Sequence, residues 1–272
     1  LEAYKMDGLG NDFIIFDKRE KPISLTKDQI ITISNRNNIG CDQVIFIESD
    51  KNSKTFLKFY NSDGGEISAC GNGSRCVAYL LMKENKSKNI SLKTKVGILE
   101  AKLNDKNLVS INMGQPNFEW KKIPLLKEMN NKNLKLKINS IDGKEVVGGF
   151  SLNVGNPHVI FFVDDLSKFN LKKIGPIIEN HSYFPEKCNV TLATIKNKKH
   201  IIAKVWERGA GITKACGTAA CATAVSGAFL KLNERCVDIE FSEGLLNIDW
   251  NINNNIYMTG KVSEVKKIII NI

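Results

Sequence analysis

The feature that most constrains this chain is that it repeats itself once, half-way along. Gly10-Asn11-Asp12-Phe13-Ile14-Ile15-Phe16 aligns with Gly155-Asn156-Pro157-His158-Val159-Ile160-Phe161, Gly155 following Gly10 by 145 positions. Asp42-Gln43-Val44 aligns with Cys188-Asn189-Val190, and Tyr60-Asn61 with Trp206-Glu207. Ala69-Cys70-Gly71 aligns with Ala215-Cys216-Gly217, Cys216 following Cys70 by 146 positions. Four matches in one order at a nearly constant offset imply two copies of one unit, too few for a solenoid. The 272 residues suit two domains of ordinary size.

Short β-branched and aromatic runs predict strands at Phe13–Phe16, Val44–Ile47, Phe56–Phe59, Leu108–Met113, Val159–Val163, Ile201–Val205 and Val237–Phe241. Helical patterns are fewer, the clearest being Gly73–Lys83 and Thr218–Leu232, each just after a Cys-Gly. Both are rich in Ala, Leu and Val, which predicts burial on several sides. The expected fold is therefore α/β (α+β). It has two pseudo-twofold-related domains, each a curved, mostly antiparallel sheet wrapped around a central helix, with an active site in the cleft between them. The expected division is residues 1–116 with 262–272, and residues 117–261. Gln115-Pro116 reads as the crossing between units, and Lys266–Ile270 as a strand returning to the first. The Asn/Lys-rich stretches near Asn130 and Asn251 read as hairpin loops.

The duplicated cysteines carry the chemistry. Cys70 precedes Gly71-Asn72-Gly73 and Cys216 precedes Gly217-Thr218-Ala219, so each stands at an expected helix start. Open helix N-termini present backbone N–H groups to anions, and glycine lets a carboxylate approach. The dipole also favours thiolate over thiol. Two such units face to face would hold a substrate carboxylate between helix ends, with one sulfur on each side of the α-carbon. A thiolate removing the proton and a thiol returning one to the opposite face inverts the centre, with no pyridoxal phosphate or other cofactor. Cys41, Cys76, Cys188, Cys221 and Cys236 read instead as buried structural cysteines.

Composition narrows the alternatives. Seven cysteines, an odd count, in a chain too long to need disulfide staples point to a reducing cytoplasm. The first residues, with Glu2, Lys5 and Asp7, hold no apolar signal core, and no apolar run approaches bilayer-spanning length. No metal is expected, since there is no Cys-x-x-Cys and only His158, His181 and His200. The net charge of +10 is mostly scattered lysine with few arginines, so it reads as solvated surface rather than a nucleic-acid or membrane footprint. The expected partner is a small molecule, and the sequence is compatible with a monomer or a homodimer.

At these motifs the chain resembles the diaminopimelate epimerases. The resemblance rests on Met6-Asp7-Gly8-Leu9-Gly10-Asn11-Asp12-Phe13, Gly40-Cys41-Asp42-Gln43, Asn61-Ser62-Asp63-Gly64-Gly65 and Ala69–Cys76. It continues through Gly155-Asn156-Pro157-His158, Asn189-Val190 and Glu207-Arg208-Gly209 on to Ala215–Thr218. It implies interconversion of LL- and meso-diaminopimelate in lysine and peptidoglycan precursor biosynthesis. In the LL-to-meso direction Cys70 would be the base and Cys216 the acid. Backbone N–H groups of Gly71, Asn72, Gly217 and Thr218 would hold the reacting carboxylate. Asn61, Asn156, Asn189 and Arg208 would hold the distal end, Glu207 its ammonium, and Asn11 and Gln43 would line the site. His158 and Glu207 would help set thiol protonation.

Arginine suits this role because its fork grips a carboxylate through two parallel bonds. Three positions depart from the family's usual pattern: Asp7 for His, Ile212 for an acidic residue, and Ala219 for Gly. The competing readings are a proline racemase or hydroxyproline epimerase, a redox-switched thiol pair, and a basic nucleic-acid-binding module. The polar cluster of Asn61, Asn156, Asn189, Glu207 and Arg208 argues against the first.

Overall fold

The computed structural model describes residues 1–50, 53–139 and 145–271. The chain divides into two units, Leu1–Asn112 with Thr259–Ile272, and Met113–Met258. Gln115-Pro116 therefore falls just inside unit 2, past the division between Asn112 and Met113.

Unit 1 contains β1 (Glu2–Asp7), β2 (Asp12–Asp17), α1 (Lys27–Ser34), β3 (Gln43–Asp50), β4 (Ser53–Asn61), β5 (Glu66–Ile67), α2 (Gly71–Glu84), β6 (Asn89–Thr94), β7 (Gly97–Asp105) and β8 (Leu108–Asn112). The apolar run Phe13-Ile14-Ile15-Phe16 is buried throughout, as expected of a strand covered on both faces. It runs parallel to β3, and α1 makes the crossover between them. A capping box closes the start of α1, Thr26 and Gln29 each bonding the other's backbone N–H. The remaining neighbours are mostly antiparallel. The strand Lys266–Ile269 lies antiparallel on β1. Helix α2, buried from Asn72 to Met82, packs against β1, β2, β6, β7 and β8.

Unit 2 contains β9 (Leu136–Asn139), β10 (Glu145–Gly148), β11 (Phe150–Asn153), β12 (Pro157–Phe162), α3 (Leu171–Glu179), β13 (Asn189–Asn197), β14 (His200–Glu207), β15 (Gly211–Thr213), α4 (Gly217–Phe229), β16 (Cys236–Phe241), β17 (Gly244–Trp250) and β18 (Ile256–Lys261), whose last three residues pass into unit 1. Apart from the β9–β10 pair, and with the single Asn117–Asn153 bridge where unit 1 has the strand Lys266–Ile269, it repeats unit 1 strand for strand. Phe13 faces Gln43, and His158 faces Asn189, both across parallel pairs. Val44 faces Tyr60 as Val190 faces Trp206, and Tyr60 faces Glu66 as Trp206 faces Ile212. The hairpins closing at Thr94–Gly97 and Phe241–Gly244 also correspond. The repeat seen in the letters is thus a repeat of register. Helix α4 is enclosed by β11, β12, β13, β14, β16 and β17.

Two expectations need correction. The stretch before Asn130 forms no strand: residues 113–135 run irregularly, tied to the sheet by the Asn117–Asn153 bridge and by single bonds such as Ser151 N–H to Asn131 O and Met113 N–H to Ile256 O. The turn at Asn130 is therefore part of a long connection rather than a hairpin. Around Asn251 the chain does form a closed turn, with Asn251 and Asn255 bonded between β17 and β18. Cys236, expected to be buried, is exposed. It opens β16, where alternation turns its side chain outward while Val237, Ile239 and Phe241 face the core. The other four cysteines read as structural are buried.

Candidate active site

Cys70 and Cys216 are the N-caps of α2 and α4. Their backbones match closely, with φ −142°, ψ 116° at Cys70 and φ −139°, ψ 120° at Cys216. The extended N-cap conformation turns the side chain back over the first helical turn. Gly73 N–H donates to Cys70 Sγ at 3.5 Å, and the equivalent Ala219 N–H faces Cys216 Sγ.

In unit 1 the residues singled out by sequence stand near the head of α2, just before β2, or on β3 and β4. Gln43 and Asn61 are cross-strand partners, with Gln43 Nε2 donating to Asn61 Oδ1 at 3.1 Å. Asn72 is buried, and neither its Oδ1 nor Gln43 Oε1 has a hydrogen-bond partner among the described residues. Asn11 is held by Asp42, which accepts from Asn11 Nδ2 at 2.8 Å. Asp42 in turn shares Arg36 with Asp12. Arg36 and its hydrogen bonds hold Asp12 below the ordinary carboxylate range despite burial. Sequence reading missed this Asp12–Arg36–Asp42 brace, because its members lie on three separate segments.

In unit 2 the cluster is tighter. The Cys216 thiol lies against the buried carboxyl of Glu207 and 3.3 Å from Thr218 Oγ1. Thr218 Oγ1 is 3.0 Å from His158 Nε2, which also bonds Asn156 Oδ1 at 2.8 Å. With a carbonyl oxygen as that partner, Nε2 carries the ring proton and Thr218 is free to donate to sulfur. His158 is wholly buried, and burial pushes its pKa down to about 3, so the imidazole is neutral. Burial likewise raises Glu207, which Thr213 Oγ1 caps with a hydrogen bond.

Burial, and then the Glu207 charge, push Cys216 well above the ordinary thiol value. The helix-dipole expectation of a lowered pKa is therefore overturned at Cys216. Loss of water outweighs a half-charge at the helix end and the donations from Thr218 and Ala219.

Asn189 is engaged at both ends of its amide. Its Nδ2 donates to Pro157 O at 2.9 Å, and its Oδ1 accepts Arg208 N–H at 2.9 Å. It ties the start of β12 to the turn that carries Arg208. The Arg208 guanidinium takes the carbonyl of Glu186, at 3.0 Å, rather than a carboxylate as its partner. Of the three departures from the family's usual pattern, Asp7 caps the Gly10 N–H, Ile212 is exposed, and Ala219 is buried under Cys216.

The two-unit architecture has solved counterparts. A probable proline racemase from Agrobacterium radiobacter K84 matches with a TM-score of 0.69 at 10% identity, over 99% of this chain and 92% of that one. A PhzF-family phenazine biosynthesis protein from Bacillus anthracis matches with a TM-score of 0.67 at 16% identity, over 99% of both chains. At such identities the likeness defines the fold: the mixed α/β, two-domain class of the PhzF proteins and proline racemases.

Sequence comparison resolves the family within that class. A family profile described as diaminopimelate epimerase matches residues 3–119 and 150–265. The diaminopimelate epimerase of Pelagibacter ubique (strain HTCC1062) is 53% identical over 98% of each chain. That of Caulobacter sp. (strain K31) is 41% identical over 95% of this chain and 93% of its own. The chain belongs to the diaminopimelate epimerase family, and it is an isomerase.

Proposed function

We propose that this epimerase interconverts LL- and meso-2,6-diaminopimelate without a cofactor, using Cys70 and Cys216 as its acid–base pair. One observation carries the reading: the two thiols occupy the same N-cap, with the same backbone angles, in two copies of one unit. The inequality of their surroundings supports a division of roles. Burial beside Glu207 keeps Cys216 a thiol, the form that delivers a proton. Cys70, half-buried with the Gly73 N–H directed at sulfur, takes the α-proton as thiolate in the LL-to-meso direction. In the reverse direction the roles exchange.

Inversion passes through a carbanion-like state whose charge spreads onto the α-carboxylate. The backbone N–H groups of Gly71, Asn72, Gly217 and Thr218 are preorganised dipoles for that charge. Asn72 Oδ1 and Gln43 Oε1 are buried acceptors without partners, which suits an ammonium group. Asn61, Asn156, Asn189 and Arg208 hold the distal amino-acid end, with Glu207 receiving its ammonium and Asn11 and Gln43 lining the site. Asn189 also fixes the backbone that carries Arg208. His158, neutral and bonded to Thr218, orients the hydroxyl that faces Cys216 Sγ. The reaction belongs to lysine and peptidoglycan precursor synthesis. Seven cysteines, an odd count, fit a reducing cytoplasm.

Proton exchange in deuterated water tests the scheme. The wild type should place solvent deuterium at the inverted centre, and Cys70→Ala and Cys216→Ala should each lose epimerisation by at least ~10³-fold. Full activity in either variant removes the two-thiol mechanism. Turnover of proline with none of diaminopimelate removes the substrate assignment.

A further inference from the structure

We infer that Glu179, the last residue of α3, is a positioning residue that sets Glu207 and Arg208 for substrate. The inference rests on the reading of those two residues as the holders of the distal end. Glu179 is buried, 5% exposed, at a helix C-terminus where the dipole disfavours a carboxylate. Nothing in the helix itself rewards an acid there. Its two oxygens are used on a different element: Oε2 accepts Trp206 Nε1–H at 2.6 Å and Oε1 accepts Gly209 N–H at 3.0 Å. Glu207 and Arg208 are the two residues between those anchors, on the turn from β14 to β15.

One helical turn earlier, Gly175 lies against the same indole. A Cβ there would come within 2.6 Å of Trp206 Cγ, so only glycine permits this approach of α3. Gly175 and Glu179 thus form one face of α3 that clamps the ring and the turn together.

Unit 1 shows that the clamp is specific to this turn. The position equivalent to Glu179 is Ser34, likewise the last residue of its helix, and it bonds Cys41 rather than the β4–β5 turn. There the turn is braced from within, Asp63 Oδ1 accepting Gly65 N–H at 2.8 Å. Gly209 stands where Asp63 would, at φ +75°, and has no side chain to do the same. The external carboxylate appears where the internal one is missing.

Steady-state kinetics on LL-diaminopimelate, with Glu179→Gln, Glu179→Ala and Arg208→Lys, test the assignment. Glu179→Ala should raise KM about tenfold with a smaller fall in kcat, about threefold, because ground-state holding is loosened while Glu207 keeps its bond from Thr213 beside Cys216. Glu179→Gln is nearly isosteric and keeps one acceptor oxygen, so its KM should fall between. The Trp206 indole N–H proton resonance should move upfield in both variants as a charged acceptor is lost. Wild-type KM in Glu179→Ala, with the Trp206 resonance displaced and KM raised in Arg208→Lys, overturns this proposal alone. An unchanged KM in Arg208→Lys overturns the reading of Arg208, and the proposal with it.

Discussion

Replacing His158 by Gln should make unit 2 less sensitive to acid. In the folded chain burial lowers the His158 pKa from 6.5 to about 3, whereas the unfolded chain leaves it near 6.5. Between those values the unfolded state binds the proton and the folded state does not. Stability therefore rises with pH across this window, and is lost as pH falls below 6.5. Each pH unit inside the window is worth about 1.4 kcal/mol, and the full shift about 5 kcal/mol. From pH 7 to pH 5 the loss from this one ring is about 2 kcal/mol. His158→Gln keeps a side chain able to bond Asn156 and Thr218 but cannot titrate. Urea denaturation followed by tryptophan fluorescence isolates the effect, because Trp120, Trp206 and Trp250 all lie in unit 2. His181, His200 and the carboxylates are common to both proteins and cancel in the difference. The stability advantage of wild type over variant should therefore shrink, or its deficit grow, by about 2 kcal/mol between pH 7 and pH 5. A difference constant to within about 0.5 kcal/mol would refute the argument that a neutral, desolvated imidazole is built into this unit.

Gly175→Ala should destabilise unit 2 by about 1–3 kcal/mol, since the new methyl meets the Trp206 ring, and the urea midpoint would report it. Alkylation by iodoacetamide under native conditions should modify Cys236 readily, and reach Cys41, Cys76, Cys188 and Cys221 only on unfolding; mass mapping of the labelled peptides decides this. Cys236→Ser should leave epimerisation unchanged in the same proton-exchange assay. Thr218→Val removes the hydroxyl between His158 and Cys216, and should lower kcat by about tenfold with less change in KM.

The duplication made much of the fold legible. Matching letters at Phe13 and His158, Val44 and Val190, Tyr60 and Trp206 fall on matching register pairs. Both central helices were readable because a Cys-Gly precedes a run of small and apolar residues. What escaped was whatever depends on tertiary surroundings. A cysteine at a helix start reads as activated until its burial is known, and at Cys216 burial wins. A cysteine in a strand reads as core until its side of the sheet is known, and Cys236 points away. Asn189 reads as a ligand for substrate, and the sequence does not show that its amide also bonds two backbone groups. Glu179 carried one local signal, an acid at the wrong end of a helix, whose explanation lies in a strand met about thirty residues later.

The pairing of Lys266–Ile269 with β1 has a consequence for how the molecule is made. Unit 2 is contiguous in the chain, so every strand it needs comes from one unbroken stretch that ends at residue 258. Unit 1 begins first, yet β1 stays without its outer neighbour, and Ile270 without its place among Ala3, Phe16 and Phe46, until synthesis has passed all of unit 2. Unit 2 can therefore fold from one continuous segment, whereas unit 1 must join segments from both sides of it. A nascent chain stalled between the units would present an open edge of β1 to any strand that could add to it.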